Sequence, residues 1–284
     1  MARRLPPAAL LAIAALTGAP CGSTWLAVPA TAAGPGAQRG YPWPQRVAAA
    51  RRFARHRIGT VSFAIVGEHG NLRGYKPQRE FHSASVVKVM LMLSFLRRPS
   101  VRNSPLNAHD KSLLHPMITR SDNTTATEIY DIVGNAGLNR LARAAHMRDF
   151  HPNVVWGLTE ITASDMSQFM YRLRRYIPRR HRRYALHLLS HIVSYQRWGV
   201  PPAKPPGWRV YFKGGFIPAA DGWRINQVAL LRRGSRKLAL AVLTHGNPTL
   251  QYGAKTVQGV TARLLRNYDR LVPGHRLQRV AGSG

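Results

Sequence analysis

Acidic side chains are scarce in this 284-residue chain: 11 Asp and Glu stand against 42 Lys and Arg, a formal charge of +31. So one-sided a surface repels its own copies and attracts polyanions. A monomer is therefore the expected state, and nucleic acid, acidic lipid and anionic cell-wall polymers are partners to be separated on other grounds. Cysteine is all but missing, Cys21 being the only one, which excludes an intrachain disulfide framework and any multi-cysteine zinc site. No stretch beyond the N-terminal segment is long and apolar enough to cross a bilayer. Internal repeats are absent, and low complexity is confined to the N-terminal segment and its tail. What is present is 45% hydrophobic residues, enough to bury a core in one large domain or two intertwined subdomains.

The N-terminus narrows the partners. Arg3 and Arg4 precede an apolar run from Leu10 to Leu16, and small residues follow at Ala30, Thr31, Ala32 and Ala33. This is the pattern of a secretory signal over residues 1–33. The Arg3-Arg4 pair also admits a twin-arginine signal, which Pro6 and Pro7 fit poorly, and Cys21 admits a lipid anchor, although Gly18-Ala19-Pro20 is not the usual approach to one. Cleavage near Ala33 leaves a mature chain without cysteine, and export argues against nucleic acid as the natural partner. Residues 34–44 are rich in Gly and Pro and read as a flexible lead.

Folding is expected from Gln45 onward. Residues 46–57 suit a helix, the β-branched run Thr60 to Val66 suits a strand, and a partner strand follows at Leu72 to Tyr75. Ser85 to Leu96 has helical spacing closed by Pro99, and further helical stretches run over about 121–133, 137–146, 163–176 and 182–195. After Pro206 the pattern changes to three strands, Trp208 to Phe212, Ile225 to Leu231 and Leu238 to Thr244, and a last helix over about 251–268. The order predicts an α+β fold. Its antiparallel sheet is assembled from both chain ends (45–80 and 206–270) and flanked by helices, and an all-helical subdomain at about 81–205 is inserted between them.

Three short motifs lie in that frame. Ser85-Val86-Val87-Lys88 sets a hydroxyl and an amine three residues apart at a helix start, on one face. A serine is a weak nucleophile until something takes its proton, and a lysine can do so if burial and nearby cations lower its pKa. With 15 Ser and 7 Lys in the chain, the spacing alone is unspecific, and an ordinary amphipathic helix explains it equally well. Ser121-Asp122-Asn123 falls at a loop-to-helix junction, where these residue types are also the preferred helix caps. Lys213-Gly214-Gly215 ends a strand, where glycines let a ligand lie against backbone; alone it is a hairpin turn.

In this order the three match the S-x-x-K, S-D-N and K-T-G set of class A β-lactamases and penicillin-binding proteins. Ser83 to Lys88, Met117 to Asn123, Trp156 to Thr159, Gln196 to Val200 and Asp221 to Asn226 extend the likeness. Over about residues 46–270 the chain resembles secreted actinobacterial serine hydrolases related to class A β-lactamases, and the β-lactamase/transpeptidase-like fold comes with that resemblance. It implies that Ser85 attacks a carbonyl, Lys88 takes its proton and Ser121 relays a proton to the leaving nitrogen. It further implies that Asn123 holds the substrate amide, that Lys213 attracts a carboxylate, and that the backbone N–H groups of Ser85 and Phe216, beside Gly215, form an oxyanion hole. No cofactor and no metal is called for.

Two departures limit the likeness. Gly214 replaces the usual threonine, removing one hydroxyl contact to substrate. The Glu-x-x-Leu-Asn pattern that supplies the deacylating base is absent, and the loop looks short; Glu160, the only acidic residue between Asp149 and Asp165, aligns better with the start of the next helix. A long-lived acyl-enzyme follows, with β-lactams as slow substrates or inhibitors and a D-Ala-D-Ala peptidase, transpeptidase or esterase step as the alternative. Other readings compete. His187 and His191 have i, i+4 zinc spacing without the intervening glutamate of a metalloprotease. The run of arginines from Arg172 to Arg183 is either a solvated face or a foothold on anionic cell-wall polymers. A retired scaffold that only binds wall polymers or senses β-lactams is the non-enzymatic alternative.

Overall fold

The computed structural model describes residues 40–272. The expected signal segment 1–33, Cys21 and the first part of the expected lead lie outside them. In chain order the elements are α1 (Trp43–Arg55), β1 (Thr60–Val66), β2 (Leu72–Tyr75) and β3 (Glu80–His82), then a 3-10 turn (Ala84–Val87) running into α2 (Lys88–Leu96), and α3 (Pro99–Arg102). The helical middle holds α4 (Ala108–Thr119), α5 (Thr124–Ala144), a short β4 (Glu160–Thr162), α6 (Ala163–Tyr171), α7 (Leu173–Tyr176), α8 (Arg182–Ser190) and α9 (Val200–Ala203). Strands β5 (Arg209–Ile217), β6 (Arg224–Arg233) and β7 (Arg236–His245) and helices α10 (Leu250–Leu264) and α11 (Tyr268–Leu271) complete it.

The main sheet has the order β2-β1-β7-β6-β5, and each neighbouring pair is antiparallel. N-terminal strands thus join C-terminal ones through the β1–β7 ladder, Thr60 opposite His245 to Val66 opposite Ala239. Strands β1, β6 and β7 are each buried over six or seven consecutive positions, so both faces are covered. Helices α1 and α10 pack together and against the sheet, with Gly259 so close to Phe53 that a Cβ would lie 2.4 Å from its ring. Helix α6 packs on β1 and β7. The central helix α2, Lys88-Val-Met-Leu-Met-Leu-Ser-Phe-Leu96, has every residue buried, as expected for a helix that is apolar all round.

The lead is shorter than expected. Trp43 and Pro44 open α1, and Tyr41 is buried with its hydroxyl donating to the Leu264 carbonyl at 2.7 Å. The inserted middle is not wholly helical, since β4 pairs with β3, Glu160 opposite His82. The two helices expected at 121–133 and 137–146 are both present within the span α5, where they meet at a kink at Gly134, whose φ of 58° and ψ of 177° are non-helical. Pro99 opens α3 as well as closing α2.

Candidate active site

The nucleophile candidate sits on a turn that is held from three directions. Ser85 is half-buried in the 3-10 turn leading into α2, directly after Ala84, whose φ of 50° lies in the left-handed region. Ser83 donates its N–H to the Thr159 carbonyl at 2.8 Å, and Asn226 Nδ2 on β6 donates to the carbonyls of His82 at 2.8 Å and Ser83 at 3.3 Å. Asn226 Oδ1 accepts in turn from the Thr244 N–H on β7, so sheet and nucleophile turn are tied by one buried amide. On the third side is β5: a Cβ on Gly215 would lie 2.6 Å from the Ser85 nitrogen and 2.8 Å from that of Val86. Only glycine lets the strand come this near. The next residue, Phe216, pairs with Ile225 and leaves its ring 39% exposed beside Trp223.

One turn along, Lys88 points its ammonium at the segment Ser121–Asn123. Nζ donates to the carbonyls of Ser121 at 2.6 Å and Asp122 at 2.9 Å, to Asn123 Oδ1 at 2.8 Å, and more weakly to Ser121 Oγ at 3.4 Å. Ser121 can present both oxygens because its φ of 61° is left-handed, a strained state for a residue with a Cβ. Asp122 turns its carboxylate away to the Thr125 N–H and hydroxyl, an arrangement that holds its pKa below the usual range. Lys213 approaches from β5, fully buried, and Nζ donates to Ser121 Oγ at 2.9 Å and to the Gly214 carbonyl at 2.8 Å. The Ser121 hydroxyl is thus shared between two lysines.

Burial governs the charge here. It pulls Lys88 down to about 7, and the Asp122 carboxylate offsets only part of that. Burial lowers Lys213 as well, and the neighbouring Lys88 charge pushes in the same direction. Near neutral pH Lys88 can therefore gain or lose its proton readily, which is what a nucleophile's base requires.

One departure from the family pattern acquires a physical reason. A Cβ on Gly214 would sit 2.9 Å from the Trp198 indole, so that ring occupies the room of the missing threonine side chain. Beside the lysine cluster, the Trp156 ring has its centroid 4.9 Å from Lys88 Nζ, and its Nε1 donates to Thr127 Oγ1 at 3.2 Å. Glu160 lies on β4 and bridges backbone-to-backbone with His151; among the described residues its side chain makes no hydrogen bond or ion pair with Lys88 or Ser85. No group of three or more His, Cys, Asp and Glu side chains converges among the described residues, and His187 and His191 simply stack at 3.8 Å.

The fold therefore brings Lys88, Ser121, Asn123 and Lys213 into one hydrogen-bonded cluster and sets Ser85 and Gly215 against each other beside it. Reading by motif did not single out Asn226, Trp156 or Trp198 for these placements. Their neighbours in space are up to 144 residues away in sequence, and no local pattern carries that information.

A model of the beta-lactamase enzyme family matches residues 102–268, a span that holds Ser121–Asn123 and Lys213–Gly215 and begins after Ser85. Among solved structures, a class A β-lactamase from Mycobacterium abscessus is 18% identical with a TM-score of 0.68, covering 78% of this chain and 99% of its own. A β-lactamase from Sphaerobacter thermophilus gives 21% identity, a TM-score of 0.67 and coverage of 82% and 100%. The chromosome-encoded β-lactamase of Vibrio parahaemolyticus, at 11% identity, still gives a TM-score of 0.69 over 79% of this chain and 99% of its own. These likenesses establish a shared fold. No curated protein sequence matches.

Proposed function

From the premise that this chain belongs to the β-lactamase enzyme family and is a serine hydrolase, we propose that it works through an acyl-enzyme on Ser85 that is slow to hydrolyse. Lys88, as the neutral amine, takes the Ser85 proton while Oγ attacks the carbonyl carbon of a β-lactam or of a peptide-like amide or ester. The oxyanion is met by the N–H groups of Ser85 and Phe216, each such donor being worth on the order of 3 kcal/mol. The proton passes through Ser121 Oγ to the leaving nitrogen, or to the leaving oxygen of an ester, with Lys213 holding that hydroxyl and drawing in a substrate carboxylate. Asn123 orients the substrate amide.

Acylation then has its machinery, and deacylation lacks an evident base. The observation that carries the reading is the aromatic face of Trp156 over Lys88, which fills the neighbourhood with a group unable to activate water. β-Lactams are accordingly slow substrates that behave as inhibitors, and the natural acyl donor is of the peptidoglycan-peptide class. We further infer that residues 1–33 direct export and that the enzyme acts at the cell wall; N-terminal sequencing of protein recovered from culture medium checks this, a start near Gly34 being expected. The nucleophile is tested by intact-protein mass spectrometry with a fluorescent penicillin. One covalent adduct is expected on the unaltered protein and none on Ser85→Ala; an adduct on the alanine variant contradicts the assignment.

A further inference from the structure

The densest run of cations in the sequence, Arg172 to Arg183, takes no part in the lysine cluster. Two cavities flank the start of α8. One, of about 290 Å³, is lined by Arg97, Arg102, Arg175, Arg179 and Arg182. The other, of about 570 Å³, is lined by Arg183, Arg197, Lys204 and Arg209, with His187 and His191. No carboxylate lines either one. Arg182 faces the first cavity and Arg183 the second, one residue apart in the first turn of α8, so the two form a belt across that helix. None of these cations has an ion-pair partner among the described residues; Arg97, Arg182 and Arg197 donate only to the carbonyls of Tyr176, Ile177 and Ser190.

The arrangement gathers like charge that a bound anion would relieve. Helix α8 has no side-chain cap and no acidic residue in its first turn, yet it carries Arg182 and Arg183 there, at the end where the helix dipole already places partial positive charge. Arginine outnumbers lysine eight to one around the two cavities, and planar guanidinium groups match phosphate oxygens in bidentate pairs. The Trp and Tyr side chains that line the larger cavity, Trp208 and Tyr211, are 2% and 7% exposed, and the exposed His187 and His191 rings are stacked on each other, so no open Trp or Tyr ring is offered for base stacking.

We infer that this belt binds a linear, base-free chain of phosphate groups laid across α8, either a polyphosphate or a polyol-phosphate polymer. The inference is independent of the chemistry assigned to Ser85. It makes the belt a tether that holds the enzyme on a phosphate-rich polymer while the active site stays free.

Because a chain of +31 holds any polyanion to some degree, the test compares equal charge removed at two places. Arg175, Arg179 and Arg183 are replaced by glutamine in one variant, and the exposed Arg51, Arg52 and Arg55 of α1 in another, with thermal melting as the check on folding. Binding of short-chain polyphosphate, poly(glycerol phosphate) and a single-stranded DNA of equal charge is followed over a salt series. The belt variant is expected to lose about tenfold or more in affinity for the first two, and its salt slope to fall by roughly two to three, while the α1 variant stays near the unaltered protein. Whichever of the two polymers binds more tightly identifies the source. Equal losses in both variants, or tighter binding of DNA than of either polymer, overturns the inference.

Discussion

The molecule holds two groups of cations that have almost nothing in common except their sign. Lys88 and Lys213 are buried, each among oxygen acceptors at hydrogen-bond distance. The arginines about α8 are largely at the surface and face one another across open cavities. Taking a cation out of water raises the free energy of its charged form, so burial lowers the pKa of both lysines and makes their ammonium groups stronger acids than a solvated lysine. The surface cluster keeps its charge and acts at a distance, through a field that salt screens within about 8–10 Å. Burial converts charge into chemistry; exposure leaves it as attraction.

The sharpest way to break this contrast is to remove the buried charge. Lys88→Met keeps much of the volume and leaves Ser85 without its base, so the rate of penicillin acylation, read by stopped-flow fluorescence, is expected to fall on the order of 10³-fold. The next effect comes from pH. Acylation needs neutral Lys88, whose pKa is about 7, so the rate should drop about tenfold per unit below that value and level off above it. The same depressed pKa has a stability sign: between about 7 and Lys88's ordinary value near 10.5 the unfolded chain binds a proton that the folded one does not, so this group makes stability rise with pH across that window. A flat acylation profile from pH 5 to 9 would remove Lys88 as the base.

Smaller effects sharpen the comparison. Gly214→Thr restores the family pattern but drives a side chain into Trp198. It is expected to cost about 1–3 kcal/mol in urea unfolding, and Trp198→Ala in the same chain should recover part of that loss. The least effect belongs to the surface. Arg183→Gln relieves a cation at the positive end of α8, so stability should rise by about 0.3–1 kcal/mol at low salt while the acylation rate does not change. A drop in acylation there would mean that belt and active site are coupled.

Most of the scaffold could be read from the chain because its signals are local. Thr60–Val66 and Leu72–Tyr75 fall where β-branched residues and the Gly67–Gly70 turn predict them. Gly134 marked the gap between two predicted helices and is the residue at which α5 breaks. Helix α4 went unread although Asn107 and Asp110 form a reciprocal capping box at its start; Pro116 within it obscures the helical pattern. The motif residues could be picked out by their spacing, and Lys88, Ser121, Asn123 and Lys213 meet in one hydrogen-bonded cluster. What surrounds them could not be. That Trp198 fills the space at Gly214, that Trp156 faces Lys88 and that Asn226 fastens the nucleophile turn are consequences of packing between distant segments. The α8 belt falls between the two cases: its Arg172–Arg183 run was visible, but Arg97, Arg102 and Arg209 join it only in the folded chain.

The measurement that bears most directly on the account is the lifetime of the penicillin adduct. The protein is labelled to completion, excess drug is removed, and intact mass is followed with time beside an established class A β-lactamase. An adduct that persists for hours on this protein while the β-lactamase clears its own within the mixing time is the predicted result. Rapid loss of the adduct with appearance of ring-opened product would contradict it, and would require a water-activating base that the Trp156 side of the site does not supply.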